Sequence, residues 1–392
     1  MIKISRSGIS ESIFFYSLII VGIIGLLTPT WYNALPANFV FEGVLFLSAV
    51  IAFRLPKKSI FFFFVFSMLY VIGSFMLMAY FNPSNYLDFA QAFKAFIYVA
   101  PLCMFYRRDV FDRDRTTFLL KALIVLFLSK YLYSVILNVN PRMGSRPAIY
   151  VENNFELIFL MLFFFALRAD LGRSVHKWFA AVVFIVLLSG SRSSMLALIV
   201  LFFGMYMTKL TVRTFFYLGG FVALSALAGI IFSARGKDGG IESIDRYKFM
   251  MVFLSEVSDW PIWKYFTGNF PISPLSSESC KSVVFYSRLF SFSEDGSCYS
   301  VVLHSYFLRV VLDHGLLGLA FLFGFIFYAM RGSGYSRMDT FTVLGIISAS
   351  ALSVSAMNSV FVSLALAIIL GLSSARLGSQ ALPRGGPLAR PL

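Results

Sequence analysis

Charge is what this sequence has least of. Only 13% of its residues are Asp, Glu, Lys or Arg, about half the share found in soluble globular domains. With 59% hydrophobic residues and a mean hydropathy of +0.81, that scarcity excludes an ordinary water-soluble fold. Histidine and cysteine are scarce too, three of each in 392 residues. No Cys/His cluster has the spacing of a zinc site, and no glycine-rich stretch has the pattern of a phosphate-binding loop. Acids are outnumbered by bases, 19 to 33, for a net charge of +14. In a soluble protein such an excess would indicate nucleic acid. In a membrane protein Lys and Arg collect on cytoplasmic links and fix topology, so no nucleic-acid partner is expected.

What is abundant is apolar sequence, including 47 Phe. A span needs ~20 apolar residues, and windows at 9–27, 34–53, 59–81, 86–106, 116–138, 154–168, 175–189, 193–208, 211–232, 302–330, 340–356 and 358–373 qualify or come close. Backbone that faces lipid must satisfy its own hydrogen bonds, so these read as helices. The expected fold is an all-α integral membrane protein of about 12 transmembrane helices. The first window reads as a span, not a cleaved signal.

The links between windows alternate in charge. Lys3 and Arg6, Arg54/Lys57/Lys58, Arg107/Arg108/Arg113/Arg115, Arg168/Arg173/Lys177, Lys209/Arg213, Arg331/Arg337 and Arg376 fall on one side. The opposite links at 28–33, 82–85 and 356–358 hold no Lys or Arg. Both termini are therefore expected in the cytoplasm. The organisation expected is spans 1–9 over 1–232, a large outer loop over 233–303, spans 10–12 over 304–373, and a Pro/Arg/Gly-rich cytoplasmic tail over 374–392, disordered on its composition. Cys280 and Cys298 both fall in the outer loop, an oxidising setting, and a disulfide between them is expected. Within that loop, 241–257 reads as an amphipathic helix with Tyr247, Phe249, Met250, Phe253 and Leu254 as its apolar face. Trp260 and Trp263 suit an interfacial segment.

Three cations break the rule by lying on the outer side: Arg142, Arg146 and Arg192. Arg192 stands in a tight polar turn, and a guanidinium offers planar, bidentate donors to phosphate. Glu156, near the outer mouth of span six, is expected to line a polar cavity. Asp112-Arg113-Asp114 has the form of a metal-dependent sugar-nucleotide motif, but its arginine-flanked, cytoplasmic position reads as a solvated link.

Four stretches, in order, resemble the O-antigen polymerase and O-antigen ligase superfamily of bacterial envelope glycosyltransferases. They are Glu152-Asn153-Asn154-Phe155, Leu188-Ser189-Gly190-Ser191-Arg192-Ser193, Asp245-Arg246-Tyr247 with 261–268 behind it, and His304 followed by Leu308, Asp313 and Gly315-Leu316-Leu317-Gly318. Ser305 departs from the Asn common after that histidine, and the loop has no dense acidic cluster. The resemblance implies a GT-C-like glycosyltransferase in the bacterial inner membrane with its site facing the periplasm. The implied substrates are undecaprenyl-diphosphate-linked oligosaccharides, with a chain-length regulator and a flippase as partners. Arg192 and Arg246 would stabilise the diphosphate leaving group, His304 would be the base for the acceptor hydroxyl, and Glu152, Asn153, Asn154 and Asp313 would bind substrate. No metal or other cofactor is implied. A polymerase of O-antigen or capsule repeat units is the first expectation, a ligase to lipid A-core the alternative, and a lipid-linked oligosaccharide flippase the non-enzymatic reading.

Overall fold

The computed structural model describes residues 6–28, 33–53, 55–139, 147–207, 219, 222 and 245–372. The ninth window apart from residues 219 and 222, Arg142, Arg146, the loop up to residue 244 and the tail beyond 372 lie outside the described residues. Among the described residues the chain is all-helical, with only an isolated bridge between Phe111 and Leu372. The principal helices are α1 (Arg6–Leu27), α2 (Ala37–Ile51), α3 (Lys58–Phe81), α4 (Tyr86–Phe105), α5 (Arg113–Ile136), α6 (Asn153–Leu167), α7 (Val175–Ser189) and α8 (Arg192–Tyr206). Then come three short helices, α9 (Asp245–Val257), α10 (Ile262–Thr267) and α11 (Ser277–Ser282), and finally α12 (Tyr306–Gly332), α13 (Arg337–Ala351) and α14 (Val360–Gly371). Among the described residues six helical stretches are long and apolar enough to cross a membrane.

The core is built from the shortest apolar helices. Every residue of α14 is buried, and so is nearly all of α6. A 12-residue helix is only about 18 Å long, and an apolar surface on all sides suits an interior position. Around this pair pack α2, α4, α8 and α13. Helix α3 lies outermost and exposes Phe62, Phe66, Leu69, Ile72 and Met76. Helices α8 and α13 approach closely where small residues permit it: a methyl group on Gly204 would strike Thr342, and one on Gly345 would meet Val200. Small residues serve close helix packing in this way in membranes.

The cationic links gather at one end of this bundle. Lys57 Nζ donates to the Arg107 carbonyl at 2.9 Å, and Arg108 Nη2 to that of Leu55 at 2.7 Å. Arg113 pairs with Asp170 at 2.8 Å, and Arg168 with Asp339. Asp112 caps α5 by accepting from Arg115 N at 3.0 Å, which gives the Asp-Arg-Asp triplet a capping and ion-pairing role. At the other end Asn82 Nδ2 donates to the Ile272 carbonyl, and Asp88 accepts from Ser291 Oγ at 2.8 Å.

The segment that carries α9 to α11 is held by a small core of its own, in which Phe249, Val252, Val257, Leu275, Val283, Cys298 and Val302 pack together. Cys280 and Cys298 are disulfide-bonded, with Cα atoms 5.7 Å apart. The buried face of α9 differs from expectation. Phe249, Val252 and Val257 point inward and Phe253 is half-buried, while Tyr247, Met250 and Leu254 are exposed. Apolar residues nearly encircle this helix, so its composition left the inward face undecided, and packing against α11 and α12 selects it.

Candidate functional site

Two of the four sequence stretches meet at the start of α6. Helix α7 ends at Gly190, whose φ of 56° is left-handed, a conformation glycine adopts without steric cost. Ser191 then caps α8, its Oγ accepting from Ser194 N at 3.2 Å, and Arg192 is the first helical residue. Asn154 Oδ1 accepts from Ser191 Oγ at 2.5 Å and from Ser193 Oγ at 3.2 Å. Asn153 Nδ2 donates to the Ser189 carbonyl at 3.2 Å, and Glu152 accepts from Asn154 Nδ2 at 2.7 Å. The asparagines thus spend their amides holding the turn that carries Arg192. Glu152 is exposed and Arg192 half-buried.

The other two stretches meet at His304. Its ring lies edge-on between Phe249 of α9 and Tyr286, with centroids 5.5 and 5.3 Å away. His304 precedes α12 itself, which begins at Tyr306 after the Ser305 cap. The His304 carbonyl accepts from Ser355 Oγ at 3.4 Å, and Ser305 Oγ donates to the Ala351 carbonyl at 3.3 Å. Arg246, exposed on α9, donates to Ser353 Oγ. The link between α13 and α14 therefore ties both His304 and Arg246.

Helices α8 and α13 run antiparallel, with Gly204 against Thr342 and Val200 against Gly345, so Arg192, at the start of α8, lies toward the end of α13 that precedes Ser353.

Asp313 takes a different place. It accepts from Ser300 Oγ at 2.5 Å and lies 3.8 Å from Arg309 Nε. It thus secures the end of the α9–α11 segment onto α12. Glu156 differs from expectation: it is fully buried and accepts from Tyr131 Oη, Ile149 N and Tyr150 N at 2.7–3.0 Å. Buried charge is retained where donors surround it, and here the donors come from the segment leading into α6. His314 is also structural. Nε2 donates to the Ala92 carbonyl at 3.0 Å, which leaves Nδ1 to accept from Tyr70 Oη at 2.9 Å.

Sequence reasoning passed over Arg309. It is 4% exposed and interrupts the apolar run of α12. Its Nη2 donates to the Gln91 carbonyl, and its Nη1 lies 3.5 Å from Ser355 Oγ. It lines a cavity of about 180 Å³ together with Asn38, Gln91, Lys94, Phe155 and Ser355. Lys94 pairs with Glu42 across α2 and α4. The signal was available: an arginine inside a span, with an acid four residues on, marks a polar site by default. Among the described residues no group of three His, Cys, Asp or Glu could hold a metal ion.

Comparison of the chain with family models, with curated proteins and with solved structures finds no match.

Proposed function

We propose that the chain is a polymerase of lipid-linked glycan repeat units in the bacterial inner membrane. In this reading twelve helices span the bilayer, the ninth over 211–232, with both termini cytoplasmic and 233–303 in the periplasm. The clustering of cationic links at one end of the bundle supports that orientation. The observation that carries the function is that the four resembling stretches meet in pairs, two at the Arg192 turn and two at His304 beside the link from Leu352 to Ser359. Asn154 holds the Arg192 turn, Phe249 flanks His304, and Ser353 and Ser355 tie Arg246 and His304 together.

The reaction follows from these groups. His304 takes the proton of the acceptor sugar's hydroxyl, whose oxygen attacks the anomeric carbon of the donor glycan. The bond from that carbon to the diphosphate breaks, and undecaprenyl diphosphate departs. Arg192 and Arg246 stabilise the negative charge that develops on the leaving group. A diphosphate leaves without a protein acid, so one base and two guanidinium groups suffice.

The test uses purified protein and lipid-linked repeat units in nanodiscs. A ladder of products is expected. Transfer only to a lipid A-core acceptor would make the protein a ligase. The absence of any transfer would remove the enzymatic reading and leave a transporter.

A further inference from the structure

The cavity lined by Arg309 is not used by the chemistry above. Three features give it a character of its own. First, its cations face inward while their acids stand behind them. Arg309 and Lys94 line the space, whereas Asp313 and Glu42, which pair with them, do not. Second, the start of α14 opens onto it, since Ser359 caps that helix and both Ser359 and Val360 line the cavity. The first N–H groups of a helix favour negative charge. Third, Arg309 Nη1 holds only a 3.5 Å contact to Ser355 Oγ, a residue that also lines the cavity, so the guanidinium keeps donor capacity toward the space.

The remaining lining speaks for a hydroxylated ligand. The side-chain amides of Asn38 and Gln91 make no hydrogen bond among the described residues, and Asn38 is exposed, so the cavity opens to the outside there. A volume of about 180 Å³ holds roughly six waters at ~30 Å³ each, or one pyranose ring. It falls short of the ~300 Å³ at which pockets for larger ligands begin.

We infer that this cavity is a binding subsite for a single carboxylate-bearing sugar ring, with Arg309 and Lys94 facing the carboxylate and Asn38 and Gln91 reading the hydroxyls. That the ring belongs to the glycan substrate rests on the function proposed above; the binding itself does not. The protein would then prefer repeat units that contain a uronic acid or a similarly acidic sugar.

The experiment is saturation-transfer NMR on the full chain in nanodiscs, with glucuronate, glucose and inorganic phosphate as probes. Glucuronate should bind in the millimolar range and glucose at least about tenfold more weakly. Gln91→Glu introduces a like charge at a side chain free of structural bonds. It should weaken glucuronate at least about tenfold with an unchanged melting temperature. This variant is decisive because Arg309→Gln would leave Asp313 without its cation and risks unfolding the chain. Equal binding of glucose, displacement of glucuronate by equimolar phosphate, no glucuronate binding, or indifference to Gln91→Glu each overturns the inference. A protein that builds ladders yet ignores glucuronate loses this subsite and keeps its function. One that binds glucuronate through Gln91 and transfers nothing keeps the subsite and loses the proposed function.

Discussion

Gly268 and Gly315 meet backbone to backbone. Gly315, with φ 65° and ψ −175°, breaks α12 in two, and a methyl group on it would lie 2.2 Å from the Phe266 carbonyl oxygen and 2.6 Å from Gly268 N. The relation is reciprocal, since a methyl group on Gly268 would lie 2.7 Å from the amides of His314 and Gly315. Asn269 N completes the joint by donating to the Leu312 carbonyl at 2.7 Å. Helix α10 is seated in the break of α12.

Gly315→Ala should therefore separate the α9–α11 segment from the bundle. Positive φ alone costs a non-glycine residue about 1 kcal/mol or more, and the clash with fixed backbone adds to it. Lower recovery of monodisperse protein in detergent, by fluorescence-detected gel filtration, is the expected result. Gly324, beside which a methyl group meets nothing, is the control position, and Gly324→Ala should behave as wild type.

The disulfide joins cysteines 18 residues apart in the α9–α11 segment. Chain entropy assigns such a loop ~3 kcal/mol. Cys298→Ser should lower the melting temperature and expose Cys280 to maleimide. Unreduced wild-type protein should resist labelling at both positions, and mass spectrometry before and after reduction reads this directly.

Asn154→Ala removes the acceptor shared by Ser191 and Ser193. Unmade buried hydrogen bonds cost ~1–3 kcal/mol, spent here at the turn carrying Arg192. Transfer should fall with only modest loss of thermal stability. Wild-type transfer by Asn154→Ala would show that the network does not position Arg192.

Arg246 and Ser353 form a pair that can be dissected. Arg246→Lys keeps the charge and loses the planar fork, and should be nearly as poor in transfer as Arg246→Ala. Ser353→Ala removes only the anchor. If Arg246 acts on the diphosphate, Ser353→Ala should reduce transfer less than Arg246→Ala does. Equal losses would reduce Arg246 to a tether for α9.

His304→Gln should leave membrane accumulation near wild type and cut transfer by ~10²–10⁴-fold, the range a positioned base supplies. Its neighbours are two aromatic edges, so Phe249→Leu probes the packing without touching the ring. If His304→Gln still builds full-length polymer at normal expression, the base lies elsewhere.

Much of the helical layout could be read from hydropathy. The windows at 59–81 and 86–106 reappear as α3 and α4 within a residue or two at either end, because apolar length alone dictates them. The meeting of Asn154 with Ser191 could not be read, since no periodicity records which links touch. Nor could the break at Gly315, which lies within a continuous apolar window and exists because α10 seats there. Arg309 was legible as an anomaly, but its cavity depends on Asn38 and Gln91 from two other helices. The inward face of α9 was misjudged for a related reason: when apolar residues surround a helix, only its neighbours decide what is buried.

Helix α14, enclosed on every side, is synthesised after every helix that encloses it. The groove that receives it must persist while α1 to α13 are already in place, with the apolar wall of α6 awaiting cover. Assembly of this chain thus closes from its C-terminal side, like a keystone set last. Loss of the segment from Val360 to Gly371 would leave a bundle with a hollow axis.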